Sequence, residues 1–187
     1  AWGTELAKRG LPNGVAPEAW NLDRPDQVRA VAASYVQAGA DVILANSFGG
    51  NRFKLEKTGL AGRLSEINRA AARLSLEAAS GKALVFASVG GTGEFMEPLG
   101  VVSEQQMVDC YAEQISALAE EGAHGVCIET FTDLNEAMAA LRAAKQCGRL
   151  ATVVSLTYDK GAAGYATMMG VRPGKAAQEL DAAGADI

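Results

Sequence analysis

The sequence predicts an α/β chain of parallel strand–helix units, and three observations carry that prediction. A helical stretch runs through a small-residue turn into a short apolar strand three times: Tyr35–Val42 (YVQAGADV), Leu118–Val126 (LAEEGAHGV) and Leu180–Ile187 (LDAAGADI). The glycine of each copy, Gly39, Gly122 and Gly184, stands where a helix C-terminus takes a left-handed residue. The strands are near-continuous apolar runs, the pattern of parallel strands buried on both faces. The loops after the strands are long and polar, and no G-x-G-x-x-G joins the first strand to its helix. That favours a barrel with a built-up top face over a doubly wound dinucleotide sheet. The expected architecture is a (β/α)8 TIM barrel, incomplete, with about strands 2–6 and their helices. No strand precedes Ala1-Trp2-Gly3-Thr4, and Ile187 falls inside a strand pattern. Residues 1–187 are therefore expected to be one partial barrel domain lacking its C-terminal portion.

Element by element, Pro25-Asp26 opens a helix through Val28, Val31, Ala32 and Tyr35 that ends at Gly39. Asp41–Asn46 (DVILAN) is the first strand, followed by a loop over Ser47–Gly62. Leu64–Ala79 is helical. Ala83–Val89 (ALVFASV) is the second strand and exits into Gly90–Gly93. Ser103 with Gln106 forms a capping box for a helix reaching Glu121. Gly125–Glu129 (GVCIE) is a strand, and Asp133 with Glu136 is expected to cap the helix to Lys145. Ala151–Thr157 (ATVVSLT) is a strand, a long loop spans Gly161 to Gly170, and Pro173 starts the last helix.

Composition bounds the function. The 187 residues are 49% hydrophobic and 21% charged, suited to one globular domain with a real core. A net charge of −5 and the lack of a dense Lys/Arg run argue against nucleic acid as a partner. No apolar run approaches the roughly 20 residues of a membrane span, and no signal segment opens the sequence. Cys110, Cys127 and Cys147 have no paired spacing, which argues against a disulfide framework and suits a cytoplasmic protein.

In a parallel barrel the chemistry gathers at the carboxyl ends of the strands. Those ends are Asn46-Ser47-Phe48, Gly90–Gly93, Glu129-Thr130-Phe131 and Thr157-Tyr158-Asp159. Glu129 is the most informative, because it ends an apolar strand and so holds a carboxylate at the barrel mouth, where it needs a cation or a donor. A substrate ammonium would serve, and so would a neighbouring Lys or Arg or the start of the next helix. Asn46 and Ser47 offer short hydrogen-bonding groups, suited to binding or to turning the chain out of the strand. Gly90–Gly93 could present backbone N–H groups to an anion, or simply make a tight turn. Met168 and Met169 suit either a ligand cover or core filling. His124, the only histidine, sits at the amino end of a strand, the stability face of a barrel. The three cysteines lie on different elements and make no metal site.

The stretches Ala1–Leu6 (AWGTEL), Glu18–Leu22 (EAWNL), Tyr35–Leu55 (YVQAGADVILANSFGGNRFKL), the Ser88–Gly93 loop and Glu129–Ala137 (ETFTDLNEA) together resemble the homocysteine S-methyltransferase domain. ANSFGGNR is most similar to the methionine-synthase type, where ANTFGANR is usual; Ser47 stands for Thr and Gly50 for Ala. The resemblance implies a zinc-dependent barrel that transfers a methyl group to the thiolate of homocysteine to give methionine. It implies that Glu129 binds the substrate amino group, that Ser47 with Asn46 helps hold the amino acid, and that Gly3 and Thr4 lie beside the substrate. The family's zinc cysteines are expected beyond Ile187, so no metal ligand and no catalytic residue is expected in this segment, which alone should be inactive. Cobalamin or methyltetrahydrofolate would enter through other modules, with a corrinoid protein or a second copy as protein partner. Two alternatives remain at this point: a corrinoid-dependent methyltransferase acting on another methylated substrate, and a non-catalytic half-barrel.

Overall fold

The computed structural model describes residues 2–162 and 164–187; Ala1 of the first motif lies outside them. Chain order runs α1 (Trp2–Ala7), α2 (Trp20–Asp23), α3 (Pro25–Gln37), β1 (Val42–Leu44), α4 (Arg52–Lys57), α5 (Leu64–Ala79), β2 (Leu84–Val89), α6 (Glu104–Glu120), β3 (Gly125–Phe131), α7 (Leu134–Gln146), β4 (Ala151–Leu156), a hairpin β5 (Asp159–Gly161) and β6 (Gly164–Ala166), and α8 (Pro173–Ala182).

The four longer-range strands form one sheet in sequence order, β1-β2-β3-β4, with every pair parallel. Helices α3, α5, α6 and α7 pack neighbour against neighbour along one side of it. Strand order that never reverses, with crossovers of one hand, puts every helix on the same side. The sheet is therefore singly wound, as in a barrel wall, and not doubly wound. Among the described residues the strands make an open sheet. Beyond β4, Ile187 accepts a hydrogen bond from the Val154 N–H (2.9 Å) and Asp186 N–H donates to Thr152 O (3.1 Å). The last residues thus run along the free edge of β4, where the sequence pattern places a further strand.

The turn prediction holds in detail. Gly39, Gly122 and Gly184 have φ of 88°, 99° and 87°, and each follows directly on a helix C-cap. The α6 capping box is complete, with Ser103 and Gln106 each bonding the other's backbone N–H.

Several short elements depart from the sequence expectation. Residues 52–57, expected as loop, form α4, because the Asn51 side chain accepts from Lys54 N–H (3.0 Å) and starts a turn. The loop after β4 contains the β5–β6 hairpin. At the amino end α1 docks against α3, and Trp2 Nε1–H donates to Leu44 O on β1 (3.0 Å). Short elements like these carry too few turns for a period to show. Glu136 is also corrected. Asp133 caps α7 by accepting from Asn135 N–H (2.9 Å), whereas Glu136 turns away to a buried network.

The core lies between sheet and helices. Ile43, Ala45, Val85, Ala87, Val89, Val126 and Ile128 point into it, and all are buried. By strand alternation Val42, Leu84, Phe86, Cys127 and Glu129 share the opposite, concave side. Phe86 covers β3 there, and Gly125 makes room for it: a Cβ would lie 2.7 Å from the Phe86 ring and 2.6 Å from Ala151 O.

Candidate functional site

A cavity of about 490 Å³ opens at the carboxyl ends of the strands. Its wall includes Gly3, Glu18, Leu44, Asn46, Phe48, Lys54, Ser88 and Glu129. Five segments far apart in sequence meet here, at the rim where a parallel sheet presents its loops.

Glu129 is half-buried on this wall. Its Oε1 accepts a hydrogen bond from the Ser88 hydroxyl on the neighbouring strand. Ser88 in turn is fixed by Ser47, whose Oγ donates to Ser88 O (2.8 Å) and accepts from Ser88 N–H (3.1 Å). Ser47 is fully buried and does not line the cavity; its hydroxyl is spent in lacing the exits of β1 and β2 together. The backbone just after Glu129 is strained. Thr130 is a β-branched residue at φ 61°, and the β3–β4 register slips between Ile128 and Phe131. The kink is held by Thr130 N–H donating to Ser155 Oγ (3.2 Å) and Thr130 Oγ1 donating to Glu129 O (2.6 Å).

Asn46 lines the cavity, and its side-chain amide donates to Pro17 O (2.9 Å) and to Asn21 Oδ1 (2.8 Å). Asn21 returns a bond to Asn46 O (2.9 Å). These bonds bring the segment around Glu18 down onto the rim. Gly3 also lines the cavity, but Thr4 is exposed on α1 and does not.

Four contributors escaped the sequence analysis. Glu18 is buried and its Oε1 accepts from Gly49 N–H (2.6 Å). Burial pushes its carboxyl up, against the Gly49 bond and the Lys54 charge, which favour the ionised form. A Cβ at Gly49 would come within 3.0 Å of that same oxygen, so the tight approach depends on glycine. Lys54 sits 4.6 Å over the Phe48 ring. Burial lowers its ammonium pKa, while the Glu18 and Glu136 charges act the other way. Ser88 and Trp2 complete the set. Glu18 lies inside the EAWNL stretch and Lys54 inside Tyr35–Leu55, and those stretches were the one signal that marked either.

Phe48 and Lys54 form the divide between this cavity and a second of about 360 Å³, lined also by Glu94, Phe95, Asp133, Glu136 and Met168. Met168 is exposed at its mouth and not a core filler. The Gly90–Gly93 loop runs between the cavities, and it is not an open anion nest. Glu136 Oε1 accepts from Thr92 N–H (2.7 Å), the Thr92 hydroxyl (2.6 Å) and the Tyr111 hydroxyl (2.8 Å). That same carboxylate pushes the Tyr111 phenol well up, second only to burial. Gly90 N–H is taken by Phe48 O (3.0 Å), and any Cβ at Gly90 would strike the Phe48 ring. The two stretches therefore lock face to face. Gly50 has the same character: a Cβ there would strike Asn68 Oδ1, whose amide nitrogen donates to Gly50 O (2.8 Å).

A zinc site needs three or four converging donors. Among the described residues no three His, Cys, Asp or Glu side chains converge on a possible metal position. Cys110 is buried in α6 and Cys147 closes α7. Cys127 shares the concave side with Glu129, and burial with that carboxylate's charge pushes its thiol up to about 11, so it stays protonated and is a poor ligand or nucleophile. His124 Nδ1 accepts the Val85 N–H (3.0 Å), a bond that ties β2 to the start of β3. These residues do not make a zinc site.

Comparison with known proteins follows the same outline. A family model described as homocysteine S-methyltransferase matches residues 1–187. Betaine–homocysteine S-methyltransferase 1 of Danio rerio is 32% identical over 187 residues, covering 97% of this chain and 44% of its own length. Methionine synthase of Mycobacterium leprae (strain TN) is 29% identical over 142 residues, covering 71% of this chain and 12% of its own. The chain thus spans less than half the length of either relative. Among solved structures, the metallated form of the homocysteine methyltransferase MmuM from Escherichia coli aligns with a TM-score of 0.81 at 18% identity, covering 98% of this chain and 69% of that one. At that identity the likeness speaks for the fold.

Proposed function

The chain belongs to the homocysteine S-methyltransferase family, and from that premise we propose that the complete protein methylates the thiol of homocysteine to give methionine, with the cavity at Glu129 as its amino-acid site. The observation that carries this is the Glu129 carboxylate on the cavity wall, steadied by Ser88 through one oxygen. The other oxygen is left to meet a substrate ammonium. A carboxylate so placed fixes one end of a short amino acid and leaves its sulfur to be aimed at a methyl donor, which is catalysis by orientation. Glu129 is then a binding group, not a proton shuttle. Asn46 and Gly3 shape the wall, and Ser47 acts from behind by holding Ser88. Thr4 has no contact role in this scheme.

Zinc, which the family resemblance implies, would activate the thiol by lowering its pKa when bound; its ligands are not among the residues described here. We place the protein in the cytoplasm on the strength of its three free cysteines. No described helix is long and apolar enough to cross a membrane. We also infer that the concave side of the sheet is covered by further strands of a barrel, since Val42 and Leu84 stand 43% and 47% exposed on it.

The test is calorimetric titration of the protein, at its natural length, with L-homocysteine, alongside an assay for methionine with zinc and several methyl donors. Glu129→Gln should weaken homocysteine binding by about 10- to 100-fold, the factor a charge-assisted hydrogen bond carries. Undiminished binding in the variant would remove Glu129 from the role, and no methionine from any donor would remove the activity.

A further inference from the structure

Lys54 is a half-buried cation on the wall of both cavities. Among the described residues it has no ion-pair or hydrogen-bond partner for its ammonium; Glu18 and Glu136 act on it only through their charge. Neither carboxylate is idle. Glu18 is held by the Gly49 N–H, and Glu136 by Thr92 and Tyr111. The other lysine of this rim, Lys57, is exposed and paired with Glu94 (2.6 Å). Phe48 supports the Lys54 ammonium from below at 4.6 Å, which fixes its position without neutralising it. Removing a cation from water without a hydrogen-bonded partner is costly, and the stack on Phe48 with the more distant carboxylate charges restores only part of that cost. An anion arriving in the cavity would restore more.

The cavity that Lys54 faces carries Glu129 on its wall. An α-amino acid brings both charges such a pair would meet. We propose that Lys54 is a substrate-binding residue of this site, taking the carboxylate of the amino acid whose ammonium meets Glu129; this rests on the amino-acid reading of the cavity. The two side chains together select a zwitterion. A thiol with an amine alone satisfies Glu129 and leaves Lys54 unmatched. The Phe48–Gly90 lock acquires a purpose as well, because a Phe48 ring held against the loop gives Lys54 a fixed platform.

The experiment compares L-homocysteine with 3-aminopropane-1-thiol, the same molecule without its carboxylate, by calorimetry on the natural-length protein. Wild type should bind homocysteine about 10- to 100-fold more tightly than the amine thiol. Lys54→Met should lose that preference while keeping its affinity for the amine thiol, and Lys54→Arg should keep most of it. A thermal melt checks that each variant is folded. If the folded Lys54→Met protein keeps the wild-type preference, the assignment of Lys54 is wrong and the site reading stands. If wild type binds both ligands alike, the assignment is wrong without recourse to any variant. If wild type binds neither, the amino-acid reading falls and takes this inference with it.

Discussion

On the helix side of the sheet, Val85, Val126 and Ile128 are fully enclosed. On the concave side, two strand positions away or fewer, Val42 and Leu84 are nearly half exposed, and toward the strand ends this side turns polar, with Asn46, Ser88 and Glu129. The same strands thus carry two different loads. One side is packed with small and branched residues against α3, α5, α6 and α7, and supplies the stability. The other is left for recognition, where polar groups can be held by neighbouring strands and still face a ligand. The lesson is that a period-two backbone lets one short segment such as Val126–Glu129 serve both purposes with alternate residues.

The comparison can be broken most severely by cavity-forming substitutions. Ile128→Ala should destabilise by about 2–5 kcal/mol, as for a large side chain removed from a packed core. Leu84→Ala should cost less than about 1 kcal/mol if the concave side is open as described, and 2–4 kcal/mol if further strands enclose it. Urea unfolding of both variants in the natural-length protein therefore measures how far that side is covered.

A smaller effect separates the buried carboxylates. Glu18 binds its proton more tightly folded than unfolded, because burial raises its pKa. The stability it contributes is fully present below the ordinary carboxylate range, near pH 4, and is lost as pH rises through the raised value. Glu18→Gln should flatten that dependence and make the protein at neutral pH no less stable, since the amide oxygen still accepts from Gly49. A variant whose unfolding free energy keeps the wild-type slope between acid and neutral pH would contradict the account.

The smallest change tests the strain at the rim. Thr130→Gly should raise stability by about 0.5–1 kcal/mol, the left-handed penalty minus the entropy glycine adds. It should also weaken homocysteine binding, because the kink that aims Glu129 is no longer enforced. A gain in stability with unchanged binding would make the kink incidental.

Much of this division was legible in the sequence. The βα periodicity, the left-handed glycines and the placement of Glu129 at a strand end follow from apolar runs and turn residues, which are local signals. What stayed hidden depends on distant partners. Glu18 is meaningful only because Gly49 reaches it, and Glu136 looked like a helix cap because nothing nearby in sequence points to Thr92 and Tyr111. Helix α4 was hidden by its brevity. For Ser47 the sequence leaves binding and strand-exit chemistry both open, because a serine at a strand exit bonds as readily to the next strand as to a ligand; only the position of Ser88 shows where its hydroxyl goes.

That serine has a practical consequence. Ser47, Ser88 and Glu129 form one seam across three adjacent strands, so recognition and architecture share atoms. An engineer wishing to admit a different acceptor should leave the seam and the Phe48–Gly90 lock untouched and vary Leu44 or Lys54 instead. Those positions border the ligand space without stitching the wall, and can be exchanged without unpicking it.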